Sequence, residues 1–356
     1  MNFASDNVMG ASRPVLEALV AANDGPMPAY GADPLTARVE AAFCGLFERE
    51  VAVSLVATGT GANALALSAL VPPYGLAVCH AEAHIIDDEC GAPEFFMHGA
   101  KLAGLPGVGA KLAPDTVAAY LDGLSRSVKQ MPPRALSISQ VTECGLVYTP
   151  DEIRALADVA HARGLAVHMD GARFANALVA LGCRPAEITW KAGVDVLTFG
   201  ATKNGCLAAE AVIFFDPAQA ESMPWRRKRS GHTLSKGRLL SAQLDAYLAD
   251  SHWLANARHA NAMAACLSQG LCERPGVRLA WATQANEVFA ILPRSLDEAL
   301  RAAGAVYHPW TPSSLPPDER VAEDEVLVRL VTSFATSPEM IDRLLAVAHG
   351  RRVAAE

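Results

Sequence analysis

Six short runs of aliphatic and β-branched residues, separated by stretches with helical periodicity, constrain the fold of this chain more than any other feature. The runs are VAVSLV at 51–56, AVCH at 77–80, ALSIS at 135–139, LAVHMD at 165–170, DVLTFG at 195–200 and AVIFF at 211–215. Strands that alternate with helices in this way form a mostly parallel sheet with helices on both faces. We therefore expect an α/β protein whose large domain is a doubly wound, mostly parallel sheet.

Two helix starts support this interpretation. Asp33 precedes Pro34, and Thr149 precedes Pro150 with Glu152 close behind. A capping side chain followed by proline at the first helical position is typical of a helix N-terminus. We expect helices at 35–48 and 150–163.

The pattern changes after about residue 241, where one long helical stretch precedes two further strands, near 287–292 and 326–332. We therefore predict a smaller C-terminal α+β domain. The predicted division is an N-terminal arm at 1–20, a large cofactor-binding domain at 21–240 and a small domain at 241–356. The proline-rich segment 309–324 reads as an exposed loop or lid.

Composition limits the class of partner. The 356 residues are 51% hydrophobic, enough for a large core, and carry a net charge of −8, which provides no basic field for a nucleic acid or an anionic membrane. The N-terminus lacks the basic head and apolar stretch of a signal peptide, and no apolar run is long enough to span a membrane. The eight cysteines are scattered singly, without zinc-ligand spacing. We expect a cytoplasmic protein with a small-molecule ligand and no metal site.

The ends of three predicted strands carry polar residues, and ligands of open α/β sheets bind beyond the carboxyl ends of strands. The first end, ATGTGANALAL, contains Thr58, Gly59, Thr60 and Gly61 at the start of a helix. Helix N-terminal amides bind phosphate groups. The segment predicts a phosphate site, and an ordinary strand-to-helix turn is the alternative.

Asp170 and Lys203 follow the other two strand ends, in HMDGARFANA and FGATKNG. A carboxylate there either caps a helix or holds the proton of a heteroaromatic cofactor. A lysine that leaves an apolar strand either extends its amine to solvent at the sheet edge or, once desolvated, becomes a nucleophile toward aldehydes. The pair predicts a Schiff-base lysine with a partner aspartate.

Together with other motifs, these segments resemble the low-specificity L-threonine aldolases, members of the β-eliminating-lyase group of fold type I pyridoxal-phosphate enzymes. The similarity extends over nearly the whole chain and includes FASDNV near the start, YGADPLTARVEAAF at 30–43, AEAHIIDDECGAPEFF at 81–96 and VRLVTSFAT at 328–336. It implies the fold type I PLP-dependent transferase-like fold, with pyridoxal 5'-phosphate (PLP) as cofactor.

The resemblance implies roles at the cofactor. Lys203 would bind PLP as a Schiff base, Asp170 would keep the pyridine nitrogen protonated, and Arg173 would bond the phenolic oxygen. His84 would stack on the ring. The phosphate would be held by Gly59, Thr60 and Gly61.

The resemblance also implies how the substrate is bound. Ser5 and Arg329 would bind the carboxylate of an amino-acid substrate. The alternative for Arg329 is an edge-strand arginine paired with a surface acid. Arg229, in WRRKRSGH, would approach the phosphate, in keeping with a homodimer or homotetramer that shares its active sites; a solvated basic face is the alternative.

The implied reaction is cleavage of L-threonine, L-allo-threonine or a phenylserine-type β-hydroxy-α-amino acid to glycine and an aldehyde. Another fold type I activity, such as β-elimination, racemisation or transamination, shares the same cofactor residues, and a PLP-binding protein without turnover is a further alternative. Many relatives carry a Thr-His pair where this chain has Thr142 and Glu143. The base for the β-hydroxyl is therefore His84, which intrinsic basicity favours, or Glu143.

Overall fold

The computed structural model describes residues 1–125 and 127–351. Arg126, in the predicted large domain, and residues 352–356, in the predicted C-terminal domain, lie outside the described residues. Its strands are β1 Ala52–Val56, β2 Leu76–His80, β3 Lys101–Leu105, β4 Pro133–Ser139, β5 Ala166–Gly171, β6 Val196–Gly200, β7 Glu210–Phe214, β8 Arg278–Leu279, β9 Glu287–Pro293, β10 His308–Pro309 and β11 Glu325–Val331. Its α-helices are α1 Arg13–Ala22, α2 Pro34–Leu46, α3 Gly59–Leu70, α4 His84–Asp87, α5 Ala92–Phe96, α6 Pro114–Gly123, α7 Pro150–His161, α8 Phe174–Leu181, α9 Met223–Arg229, α10 Arg238–Leu248, α11 His252–Cys272, α12 Arg294–Ala302 and α13 Pro338–Ala348.

The first seven strands form one sheet in the order β1-β7-β6-β5-β4-β2-β3. Strands β2 to β6 pair in parallel, whereas β7 is antiparallel to both β6 and β1. Strand β1 therefore runs in the same direction as β2 to β6, and the carboxyl ends of these strands meet at one edge. The predicted doubly wound, mostly parallel sheet is confirmed.

The two predicted helix starts are confirmed, with the caps formed by the side chains expected. Asp33 accepts a hydrogen bond from the Thr36 amide at 3.0 Å ahead of α2. Ahead of α7, Thr149 accepts from the Glu152 amide at 3.2 Å, and Glu152 accepts from the Thr149 amide at 2.7 Å. Such reciprocal bonds satisfy amides that the helix itself leaves unpaired.

A second, antiparallel sheet has the order β10-β11-β9-β8 and packs against α11, α12 and α13. The start of the chain belongs to this unit, because the Phe3 amide donates to Val306 and the Phe3 carbonyl accepts from Val331. Helix α10 and the beginning of α11 instead pack on the large core through Leu244 and Trp253. The segment directly after the predicted boundary at 240 thus contacts the large sheet.

Two regions differ from the expectation. Strand β3 was not foreseen, because KLAGL lies at the sheet edge with a largely uncovered surface and lacks a buried apolar run. The segment 309–324 is only partly exposed: Trp310 and Leu315 pack against Phe289 of the second sheet, and the Ser313 hydroxyl bonds Glu82. The prolines of this segment predict irregular backbone, but they do not predict that Trp310 packs against the second sheet.

Among the described residues, no helix is long and apolar enough to cross a membrane.

Candidate active site

Residues from five segments meet above the sheet edge where the parallel strands end. Their side chains line one cavity of about 400 Å³, whose walls include Thr58, His84, Glu143, Asp170 and Lys203. The parallel direction of β1, β4, β5 and β6 places their carboxyl ends together, so residues far apart in the chain face the same space. The structure thus brings together the predicted phosphate loop, the aspartate, the lysine and both candidate bases.

The phosphate loop turns directly from β1 into α3. Thr58 caps the helix, since its hydroxyl accepts from the Gly61 amide at 3.0 Å. Gly59 and Thr60 line the cavity at the first turn of the helix. Gly61 faces the other way, where an added Cβ would lie 2.4 Å from the His232 ring. The backbone amide of Gly61 is therefore already bonded within the loop and is not directed at a phosphate, and the missing side chain leaves room for His232.

Lys203 lies in a short 3₁₀ turn, Thr202–Asn204, just after β6. Gly200 makes that exit possible, because a Cβ there would lie 2.6 Å from the Ala172 backbone. Glu210, at the start of β7, accepts from the Ala201 amide at 3.0 Å and lines the cavity beside Lys203. Burial raises the pKa of Glu210 to about 7, against the opposing effects of Thr202 and Lys203.

One side of the cavity, which we call the acidic wall, consists of Asn63, His84, Glu89, Glu143 and Asp170. Asp170 accepts from the Ala172 amide at 2.9 Å and from the Asn63 side chain at 2.8 Å. The same Asn63 nitrogen donates to Glu89 at 2.9 Å, and Glu89 Oε1 lies 2.9 Å from His84 Nδ1. The bond to Glu89 raises the pKa of His84 above its ordinary value, against the effect of partial burial.

Glu143 is attached to the same wall through the backbone of His84. Its Oε1 accepts from the His84 amide at 2.9 Å and from the Ser139 hydroxyl at 2.6 Å. Its Oε2 is buried and has no hydrogen-bond partner among the described residues. Burial raises the pKa of Glu143 to about 7, although both bonds act to lower it. The two candidate bases thus lie side by side, and the pKa of each is raised above its ordinary value.

A second cluster, which we call the arginine wall, meets the cavity through Arg173. It consists of Asp6, Arg173, Asn286, Glu287 and Arg329. Arg173 Nε and Nη2 donate to the two oxygens of Asp6 at 2.8 and 3.0 Å. The Asn286 side chain donates to Asp6 at 3.0 Å. Burial acts to raise the pKa of Asp6, but the charges of Arg173 and Lys203 and the bonds from Arg173 and Asn286 hold it below its usual value.

Arg329 on β11 extends this wall. Its Nη1 lies 3.9 Å from Glu287, which is also 3.4 Å from Arg173. Its guanidinium lies 4.6 Å above the Trp310 ring, and its Nε is buried without a hydrogen-bond partner among the described residues. The acid beside Arg329 is therefore fully buried, unlike the surface acid of the alternative interpretation.

Of the predicted site residues that the structure describes, Ser5, Gly61, Arg229 and Arg329 do not line the cavity. Ser5 adjoins it, since Ser5 caps the turn that carries Asp6 and accepts from the Asn7 amide at 3.1 Å. Arg229 lies on another cavity, formed with Phe95, His98 and Arg226. Within one chain, Arg229 is therefore separate from the cavity that holds Lys203.

The sequence analysis missed several polar residues of the site, among them Asn63, Glu89 and Glu210. Each is at least 94% buried, with 2%, 4% and 6% of its surface exposed. Asn63 gave the clearest signal, because it is a polar residue in the apolar helix sequence ANALAL. Glu89 follows two exposed acids in HIIDDE, and nothing in the pattern separates it from them.

Comparison with known proteins gives consistent results. The family model described as "Beta-eliminating lyase" matches residues 2–293. The low specificity L-threonine aldolase of Pseudomonas sp. (strain NCIMB 10558) is 45% identical over 303 residues, which cover 85% of this chain and 87% of that protein. The protein of the same name from Escherichia coli (strain K12) is 28% identical over 254 residues, 68% of this chain and 71% of that one. Among solved structures, the threonine aldolase of Leishmania major superposes with a TM-score of 0.89 at 28% identity, covering 98% of both chains.

Proposed function

The chain belongs to the β-eliminating lyase family, and from that premise we propose a PLP-dependent aldolase, an aldehyde-lyase that splits β-hydroxy-α-amino acids. The substrates are L-threonine, L-allo-threonine or phenylserine-type compounds, and the products are glycine and an aldehyde. The observation that carries the proposal is the single cavity onto which Lys203, Asp170, His84 and the start of α3 all open.

The residues of this cavity fit PLP. A helix start with small residues suits a phosphate, a carboxylate suits a pyridinium nitrogen, and a primary amine suits an aldehyde. Asp170 keeps the correct geometry, because its two oxygens are fixed by Ala172 and Asn63. The volume of about 400 Å³ lies within the range of small-molecule sites.

We assign the binding of the cofactor as follows. Lys203 provides the attaching amine, Asp170 accepts the bond from the pyridine nitrogen, and Arg173 retains Nη1 for the ring oxygen. The phosphate lies at Gly59 and Thr60. When bound, PLP takes up an amine at its aldehyde carbon and accepts the electron pair released when a bond at the substrate Cα breaks.

The arginine wall orients the substrate. Arg329, with an unsatisfied buried Nε, binds the carboxylate of the amino acid, and Ser5 assists from the turn that carries Asp6. A charge-assisted contact at the carboxylate would fix the orientation of the substrate Cα and so select which of its bonds is broken. For cleavage, that bond is Cα–Cβ.

The acidic wall handles the proton of the β-hydroxyl. His84 takes that proton, which allows the oxygen to form the aldehyde carbonyl as Cα–Cβ breaks. Glu143 is the second candidate, because its Oε2 is unpaired and its pKa is raised to about 7 by burial. The glycine carbon must then receive a proton, and both groups lie near enough to the cavity to return it.

Subunit contacts complete the proposal. Arg229 lies away from the cavity within its own chain, so a role at the phosphate requires a second subunit, as in a homodimer or homotetramer with shared active sites. We also infer a cytoplasmic location from the eight unpaired cysteines, because such thiols suit a reducing compartment.

Product analysis tests the proposal. The protein with PLP is offered threonine, allo-threonine and phenylserine, and glycine plus the matching aldehyde is the expected result. Pyruvate with ammonia, a D-amino acid or a keto acid would instead identify a β-eliminating lyase, a racemase or an aminotransferase. A protein that binds PLP without consuming any of the three substrates would be a binding protein.

A further inference from the structure

Glu89 is a buried carboxyl that the reaction described above does not use. Its side chain is fully buried, and one oxygen, Oε1, accepts bonds from both His84 Nδ1 and Asn63 Nδ2 at 2.9 Å. The other oxygen, Oε2, has no hydrogen-bond partner among the described residues. A carboxylate in such a place is unfavourable unless its charge is compensated. The group that can compensate it here is the His84 ring.

The contact fixes which ring nitrogen faces which way. A carboxylate accepts hydrogen bonds, so Nδ1 must carry a hydrogen when it bonds Glu89. In a neutral ring, Nε2 is then the nitrogen without a hydrogen, and it remains free to accept a proton on the cavity side. His84 lines the cavity with a side chain that is 41% exposed. Glu89 thus selects the tautomer that a base at this position needs.

Asn63 extends the connection to the cofactor site. One nitrogen of its amide donates to Glu89 at 2.9 Å and to Asp170 at 2.8 Å. Both carboxylates are therefore held by the same buried donor, on a helix turn that is itself in the core. The orientation of His84 and that of Asp170 depend on one another through this amide.

We propose that Glu89 is a positioning residue that orients the His84 ring and stabilises its protonated form, and that Asn63 couples this pair to Asp170. The inference rests on the proposed function insofar as His84 acts on a substrate. The contact between Glu89 and His84 itself does not depend on which substrate is bound.

Other charges also face His84. Asp170, beyond the end of β5, acts with Glu89 to raise the pKa of the ring, whereas Lys203, beyond β6, acts to lower it. Glu143, from the loop after β4, bonds the His84 amide. Glu89→Gln leaves the charges of these other groups unchanged, so a change in the titration of His84 reports on the charge of Glu89.

The test follows the titration of His84 directly, by NMR of the PLP-loaded, full-length protein labelled with ¹³C-histidine. The signal of His84 is the one of ten histidine signals that His84→Phe removes. Glu89→Gln keeps an acceptor for Nδ1 but removes the charge. We expect the titration midpoint to fall by roughly one pH unit, the low end of the effect of an adjacent opposite charge, because the ring is partly exposed. The acidic limb of the kcat profile on phenylserine should move by the same amount.

Two further variants make the result specific. Asp88→Asn removes an exposed carboxyl one residue away and should leave both midpoints unchanged. Glu89→Asp restores the charge on a shorter side chain and should recover at least half of the shift, which also covers the case in which Glu89→Gln does not fold.

An unchanged His84 midpoint in Glu89→Gln would overturn the inference, as would equal shifts in Asp88→Asn. Absence of glycine and aldehyde from the unmodified protein would overturn the proposed function instead, and it would leave the titration result standing. The two failures are therefore distinguishable.

Discussion

The two walls of the cavity contain similar numbers of charged side chains but compensate their charge differently. In the arginine wall, Asp6 is bonded by Arg173 and Asn286, and Glu287 lies between Arg173 and Arg329. In the acidic wall, no arginine or lysine of the described residues bonds a carboxylate. Its partners are Asn63, a histidine, a serine hydroxyl and backbone amides.

This difference predicts different functions. Asp6 is bonded by Arg173 and its pKa lies below the usual value, so it keeps its charge over the physiological pH range, whereas burial raises the pKa of Glu287 against the charges of Arg173 and Arg329. The two arginines of this wall suit it to orient an anionic group. In the acidic wall, burial raises the pKa of Glu143 to about 7, so this carboxyl can exchange protons near neutrality. We therefore expect the arginine wall to bind the substrate and the acidic wall to transfer protons.

Lys203 provides the largest expected effect. Lys203→Ala should lower kcat by about 10³-fold or more, because it removes the amine proposed to attach the cofactor. Borohydride reduction of the unmodified holoenzyme, followed by peptide mapping, should find the pyridoxyl group on Lys203. The exposed Lys101→Ala serves as the control. A label on any other lysine would contradict the assignment.

The proton-transfer role of the acidic wall is tested next. A general base contributes about 10²–10⁴-fold, so His84→Phe, which keeps an aromatic ring in place, should lose that much kcat on phenylserine. Glu143→Gln should lose less and mainly change the ratio of activity on threonine and allo-threonine.

The pH dependence sharpens the same test. A base acts only when deprotonated, and the pKa of Glu143 is raised to about 7 while that of His84 is raised above its ordinary value. Activity should therefore fall as the pH drops through neutrality. If Glu143→Gln loses nearly all activity and His84→Phe retains most, the two roles must be exchanged. If both variants remain active, a phosphate oxygen or an ordered water is the base.

The binding role of the arginine wall predicts a smaller effect. Arg329→Ala should reduce kcat/KM by about 10–150-fold, the value of a lost charge-assisted bond of roughly 1.5–3 kcal/mol. The loss should appear mainly in KM, because the lost contact is made to the substrate carboxylate in both the ground state and the transition state. PLP binding should persist, and Arg274→Ala, an exposed arginine of the same domain, should be neutral. Unchanged kinetics in Arg329→Ala would show that Arg329 does not bind the substrate carboxylate.

The contrast between the walls also separates what the sequence predicted from what it did not. The strand ends carrying Asp170 and Lys203 were predictable, because a parallel sheet brings such ends together whatever the details of packing. The partners within each wall were not. Asp6 meets Arg173 and Asn286 only because the N-terminal segment crosses to the second sheet.

Raised pKa values were equally inaccessible from the sequence. Glu143 was considered a weaker base because an ordinary glutamate titrates near 4.3. The structure half-buries this residue with its Oε2 atom shielded from solvent, and burial raises its pKa to about 7. Glu143 lies in the irregular segment between β4 and α7, and such a segment has no hydrophobic periodicity that would predict how far a side chain is buried.

The smallest expected effect concerns stability. It compares Glu210, whose pKa is raised by burial, with Asp6, whose pKa is held below its usual value. Burial raises the pKa of Glu210 to about 7, so this group is protonated in the folded protein at pH 5.5 and must ionise, or remain protonated unfavourably, at pH 8. A group whose folded pKa lies above its unfolded value loses stability as the pH rises between the two. Glu210→Gln removes that loss, so relative to the unmodified protein it should gain about 1–3 kcal/mol in free energy of unfolding between pH 5.5 and pH 8.

Asp6→Asn should behave differently, because the pKa of Asp6 is held below its usual value and the group is ionised throughout this range. Its loss of stability should be the same at both pH values. Urea unfolding of the cofactor-free proteins at the two pH values measures both differences, and a pH-dependent loss in Asp6→Asn with no pH dependence in Glu210→Gln would contradict the opposite pKa shifts of these two carboxyls.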